Sequence, residues 1–121
     1  MAKVRENIVE VFCSLSVEGI HFWKNCDIPE VSYLANPHRH MFGIKAYKSV
    51  THDDRDVEFI WLKHQILHYL QDYYHEDYKC LYFGGMSCEM IASELLKEFK
   101  LARIEVNEDN ECGSIVYSYE D

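Results

Sequence analysis

Two stretches of alternating apolar residues constrain this chain more than any other feature. From Ile8 to Phe22, Val9, Val11, Cys13, Leu15 and Val17 occupy every second position. From Arg39 to Val50 the apolar residues return at Phe42, Ile44 and Ala46, followed by Tyr47 and Val50. Side chains two apart project from the same face of an extended chain, so each stretch predicts a long strand with one buried face. The segment between them, Asn25 to Pro37, holds both prolines and reads as a loop. Two long strands joined by one loop predict an antiparallel hairpin. Gly19, near the end of the first strand, marks a bulge or a close backbone approach.

The rest of the chain changes period. Thr51-His52-Asp53-Asp54 offers a cap with carboxylates in a first turn, and Val57, Ile60, Trp61, His64, Leu67 and His68 then recur at helical spacing, predicting a helix that ends near Tyr74. Lys79 to Gly85 reads as a loop. Ser87 is placed as N-cap of a second helix with Glu89 in its first turn and Met90, Ile91, Leu95, Leu96 and Phe99 as its apolar stripe. Leu101 to Val106 and Ser114 to Tyr119 read as strands, and Asn107 to Gly113 as the turn between them. The predicted order is ββααββ in a single domain over residues 1–121, an α+β fold with two helices on one face of an antiparallel four-stranded sheet.

Charge and composition exclude several function classes. The chain carries 12 Lys and Arg against 21 Asp and Glu, a formal charge of -9, with the acidic residues spread along its length. A phosphate backbone requires a basic footprint, so no nucleic acid is expected as partner. No apolar run approaches the roughly 20 residues that span a bilayer, and the N-terminal residues lack an apolar signal core, so no membrane association and a cytoplasmic location are expected. The five cysteines form no C-x-x-C pair and read as reduced core residues.

Chemistry concentrates in the imidazoles. His38-Arg39-His40 places two histidines at i and i+2, on one face of an extended strand, and His21 closes the first strand of the same hairpin. Three such rings can share one metal ion with a position left open for water or a ligand. Two solvated or core-satisfied imidazoles are the competing reading. His64 and His68, with Asp72 a further turn on, form another helical set that could hold zinc, against the plainer reading of a partly buried pair.

Over most of its length the chain resembles the 6-pyruvoyl- and 6-carboxytetrahydropterin synthases, which have the tunnelling, or T-fold, architecture. That family has a His ending its first strand and H-G-H opening its second, matched by His21 and His38-Arg39-His40. Its I-D-F-x-x-L-K is similar to Val57-Glu58-Phe59-Ile60-Trp61-Leu62-Lys63, and its P-T-x-E-N-L-A to Met86-Ser87-Cys88-Glu89-Met90-Ile91-Ala92. Its V-x-V-x-E-T is similar to Ile104-Glu105-Val106-Asn107-Glu108-Asp109. The resemblance implies Zn2+ as cofactor on His21, His38 and His40, and a pterin ring held by Glu108 and Ser87. A solvated turn carboxylate is the competing reading of Glu108. It also implies lyase-type turnover of a dihydroneopterin triphosphate-like substrate, in tetrahydropterin synthesis or in a route to deazaguanines such as queuosine, and association into trimers or hexamers whose strands close an oligomeric barrel.

The departures from that family are specific. Its catalytic Cys position, four residues before the first ligand of the H-G-H, is Leu34 here, leaving Cys26 in the preceding loop as the candidate nucleophile. Its Asp-His dyad has only His75, flanked by Asp72 and Asp77, as the candidate acid or base. Arg39 replaces the small Gly, either adding a guanidinium beside the metal or pointing to the opposite face. A non-catalytic module that binds a purine-like or nucleotide ligand is therefore the second expectation.

Overall fold

The computed structural model describes residues 7–119. Strands β1 (Glu10–His21) and β2 (His38–Ser49) pair antiparallel in unbroken register, from Glu10 opposite Ser49 to His21 opposite His38. Cys13 and Leu15 of β1, with Phe42, Ile44 and Ala46 of β2, are buried on one face, while Phe12, Ser14, Ser16, Glu18 and Met41 are exposed on the other. Strand β5 (Arg103–Glu108) extends the sheet beside β2, and β6 (Cys112–Tyr117) beside β5, both antiparallel. Helices α1 (Phe59–Leu70) and α2 (Cys88–Phe99) cover the apolar face, burying Leu62, Ile66 and Leu70 of α1 and Ile91, Ala92 and Leu95 of α2 in one cluster with the strands. Glu94 ties the helices together, accepting hydrogen bonds from the hydroxyls of Tyr69 and Tyr73. No helix among the described residues is long and apolar enough to cross a membrane.

The expected antiparallel four-stranded T-fold sheet with two helices in ββααββ order is corrected: two further strands lie between α1 and α2, and 3-10 helices occupy Pro29–Ala35, inside the expected Asn25–Pro37 loop, and Gln71–Tyr73. Cys80–Gly84, read as a loop, is β4, which lies parallel to β1, and Tyr74–His75 is β3, antiparallel to β4. The sheet is six-stranded and mixed, in the order β3-β4-β1-β2-β5-β6, and the class remains α+β. Alternation could not reveal β4. A strand covered on both faces carries a near-continuous apolar run, and Cys80, Leu81 and Phe83 are all buried. The reversal into it is made by Lys79 at φ 55, whose N–H donates to the His75 carbonyl.

Helix α1 also differs from expectation. It starts at Phe59, capped by the Glu58 side chain, and Thr51 instead donates from its N–H and hydroxyl to Asp56 in a preceding turn. The buried stripe is Leu62, Ile66 and Leu70, whereas Ile60 and Trp61, placed on the core face by spacing, are 56% and 61% exposed. Two apolar stripes coexist on this helix, and the sheet selects one of them.

Gly19 is a close approach. Its pairing with β2 is regular, and the register shift of β1 against β4 falls between Ile20 and His21. A Cβ at Gly19 would stand 2.7 Å from the Phe83 ring and 3.0 Å from the Phe42 ring. Those rings pack edge to face, 5.1 Å between centroids, beneath the histidines. Overpacking of this kind costs about 1–3 kcal/mol. Gly19→Ala is therefore expected to lower the free energy of unfolding by that amount in urea titration, while Ser16→Ala on the exposed face leaves it nearly unchanged.

Candidate metal centre and adjoining cavity

The unbroken hairpin register places the histidines. His38 and His40 lie four and two residues before Phe42, so strand alternation puts them on its buried face, and His21 stands directly opposite His38. Glu108, the last residue of β5, pairs with Phe42 and so shares that face. It belongs to a strand and its side chain is 28% exposed, which removes the reading of a solvated turn carboxylate. The imidazole centroids are 4.6 Å (His21 to His38), 5.5 Å (His21 to His40) and 5.0 Å (His38 to His40) apart, over the fully buried Phe42. One ligand atom from each of His21, His38, His40 and Glu108 lies within 4.8 Å of the other three, so the group could hold a metal ion.

The hydrogen bonds around the cluster orient it. His21 Nδ1 donates to the Met86 carbonyl and His38 Nδ1 to the Asn36 carbonyl, each at 2.8 Å, and His40 Nδ1 to Asp109 Oδ2 at 2.7 Å. All three acceptors are oxygens, so the proton of each neutral ring sits on Nδ1 and the lone pair on Nε2. Among the described residues, His21 Nε2 and His40 Nε2 are enclosed with no hydrogen-bond donor, although Glu108 oxygens stand 2.8 Å and 3.5 Å from them. With the rings neutral, these are approaches of acceptor to acceptor. Converging lone pairs and a carboxylate, with the outer hydrogen bonds that metal-bound histidines use, make a group that could hold a cation. Burial pushes the His21 imidazole below its usual range, which keeps it neutral.

A cavity of about 550 Å3 opens beside His21, His38 and Glu108, within the range of small-molecule sites. Phe22, Trp23, Leu34 and Met86 give it apolar walls, and Ser87 and Glu89 at the start of α2 line its polar side. Ser87 caps α2, its hydroxyl accepting from Met90 N–H at 3.2 Å. Ser114 donates to Glu89, whose carboxyl is held below its ordinary value, first by its own backbone N–H.

The structure brings together His21, His38, His40 and Glu108, with Ser87 on the adjoining wall, and separates them from the other candidates. Cys26 does not line the cavity; its thiol points to the Val31 and Ile28 carbonyls. His75 pairs with Cys80 and packs on Tyr78 and Tyr82, on the opposite face of the sheet from Phe83. Arg39 lies on that face too, donating to Glu18 at 2.9 Å. His64, His68 and Asp72 border a separate cavity beside α1 with Trp61 and Glu98. Sequence reasoning missed Asp109 and Cys88. Cys88 is buried, points its thiol at Glu108, and is pushed up to about 12, first by burial and then by the Glu108 charge, so it stays a neutral thiol. Its place directly after the N-cap Ser87 was the available signal.

No family model matches the sequence, and no curated protein is significantly similar to it. Among solved structures, the chain is similar to the crystal structure of an uncharacterized protein from Wolinella succinogenes, with a TM-score of 0.67 at 13% identity over 93% of this chain and 99% of that one. Identity that low shows a shared fold and carries no activity across.

The acceptor cluster makes a sign-specific prediction. In chelator, Glu108→Gln is expected to be more stable than the wild type by about 1 kcal/mol, because an amide N–H can donate to His21 Nε2. In excess zinc the order reverses, and thermal melts under both conditions measure it.

Proposed function

We propose that this chain is a metal-dependent pterin- or purine-binding protein similar to the tetrahydropterin synthases, with His21, His38, His40 and Glu108 holding a divalent transition metal, zinc in the first instance. The observation that carries the reading is the set of three imidazoles, each tied at Nδ1 and aimed at one point with a carboxylate. Neutral imidazole nitrogens with one carboxylate suit zinc and its neighbours better than calcium or magnesium, which prefer all-oxygen shells. Bound there, zinc supplies Lewis-acid polarisation of a ligand hydroxyl or carbonyl.

The chain's own residues define the ligand. Trp23 and Phe22 offer faces on which a flat heterocycle can stack. Glu89, a carboxylate with Ser114 bonded to it, can accept from the amino and ring N–H edge of a pterin or purine. Two carboxylates on the cavity, Glu89 and Glu108, oppose a triphosphate tail, which favours a ligand with little negative charge.

Turnover as a synthase-type lyase is the second reading, and the metal cluster favours it. Binding without turnover is favoured by Leu34 on the cavity wall at the position of the expected thiol, and by the distance of Cys26 and His75 from it. All five cysteines are free thiols, which suits a reducing cytoplasm. Strand β6 is an unpaired sheet edge with Ile115 and Tyr117 exposed, and Phe59, Ile60 and Trp61 are exposed on α1; both support homo-oligomerisation.

Purified protein is expected to contain about one equivalent of zinc, His38→Ala to lose it, and both to keep the same circular dichroism. Protons compete with the metal for its ligands, so zinc should be retained at pH 7–8 and released on acidification. Neopterin and guanosine then serve as binding probes, and dihydroneopterin triphosphate as the turnover probe. Zinc with turnover selects the enzyme and zinc with binding alone the module, whereas a wild type that takes up no metal overturns the proposal. Light scattering is expected to give a trimer or hexamer, and a monomer would remove the oligomeric part.

A further inference from the structure

Resting on the metal reading above, we propose that Asp109 is a positioning residue for the metal centre, its carboxylate holding His40 in the tautomer that leaves Nε2 free to ligate. His21 and His38 are oriented by backbone carbonyls, those of Met86 and Asn36. His40 is oriented by a side chain, and that side chain is fixed to the strand carrying His40. Asp109 Oδ2 accepts from His40 Nδ1 at 2.7 Å, and Oδ1 accepts from the Met41 N–H at 2.9 Å. The Asp109 N–H in turn donates to the Met41 carbonyl at 2.8 Å. Each carboxylate oxygen therefore has its own task, one holding the turn to β2 and the other aiming the ring.

The β5–β6 turn is built to present this group. Asp109 and Asn110 have φ of 56 and 64, the left-handed region that Asp and Asn tolerate better than other side chains. The Asn110 N–H donates to Asn107 Oδ1 at 2.9 Å, closing the turn. A charged acceptor on the far nitrogen also makes an imidazole a better donor to a metal, and losing such a partner typically costs about 10–100-fold in metal affinity.

Asn in place of Asp keeps the left-handed turn but offers one acceptor oxygen for two donors. Asp109→Asn is therefore expected to bind Zn2+ about 10–100-fold more weakly in chelator competition, with a melting temperature close to that of the wild type in chelator. The second readout needs no metal. Long-range 1H–15N spectra of the metal-free wild type should show His40 protonated on Nδ1, and those of Asp109→Asn a mixture of the two tautomers. Asn107→Ala, which weakens the turn without touching His40, is the control: it should lower stability and leave the His40 tautomer in place. Wild type that binds zinc beside an Asp109→Asn variant of equal affinity and unchanged tautomer overturns this inference alone. Wild type that takes up no zinc overturns the metal reading, and this one with it.

Discussion

The uninterrupted pairing of β1 with β2 is the constraint on which the other features rest. A slip of one residue would exchange the two faces of a strand, sending Phe42, Ile44 and Ala46 to solvent and His38 and His40 with them. The apolar core thus sets the chemistry. Burial of the Phe42, Ile44 and Ala46 face against α1 and α2 selects one register, and that register leaves no choice about where the imidazoles point. The site lies at the end of the core, where the alternation continues past Phe42 but the residues become ionisable.

That placement has an electrostatic cost. Enclosed acceptors without donors destabilise a fold by about 1–3 kcal/mol each, and with the rings neutral His21 Nε2 and His40 Nε2 are of this kind among the described residues. The fold carries the cost because the surrounding groups are positioned by necessary structure. The Met86 carbonyl that holds His21 lies beside the α2 N-cap, and the Asn36 carbonyl that holds His38 ends the loop before β2. A cation bound there would turn the penalty into attraction and couple metal binding to folding through these four side chains. Neutral imidazoles suit this arrangement better than a second carboxylate would, since their desolvation as free bases is mild.

Much of this was legible in the sequence, for physical reasons that also explain what was not. Period-two patterning over Ile8–Phe22 and Arg39–Val50 specified the hairpin, and parity then carried His21, His38 and His40 to one face. The capping chemistry of Ser87 specified the start of α2. Strand β4 escaped because Cys80, Leu81 and Phe83 form a short apolar run with no alternation, and a parallel partner lies far away in the chain. The core face of α1 escaped because Phe59, Ile60 and Trp61 compete with Leu62 for the inward position and only the packed sheet decides between them. Asp109 escaped because its role depends on a left-handed turn, which the neighbouring Asn110 hints at but does not specify.

Glu108 is the residue on which the proposed readings of the site diverge. The resemblance to the tetrahydropterin synthases implies that this glutamate holds the edge of a pterin, whereas its oxygens stand 2.8 Å from His21 Nε2 and 3.5 Å from His40 Nε2. One carboxylate cannot complete a metal shell and recognise a heterocycle at the far end of a 550 Å3 cavity. If Glu108 serves the metal, recognition passes to the start of α2, where Ser87 and Glu89 line the cavity. The ligand then meets a shell of four protein groups instead of three, and it must displace Glu108 or accept a higher coordination number to reach the ion. The physical difference between the two readings comes down to whether the Glu108 carboxylate stays on the metal once the cavity is filled.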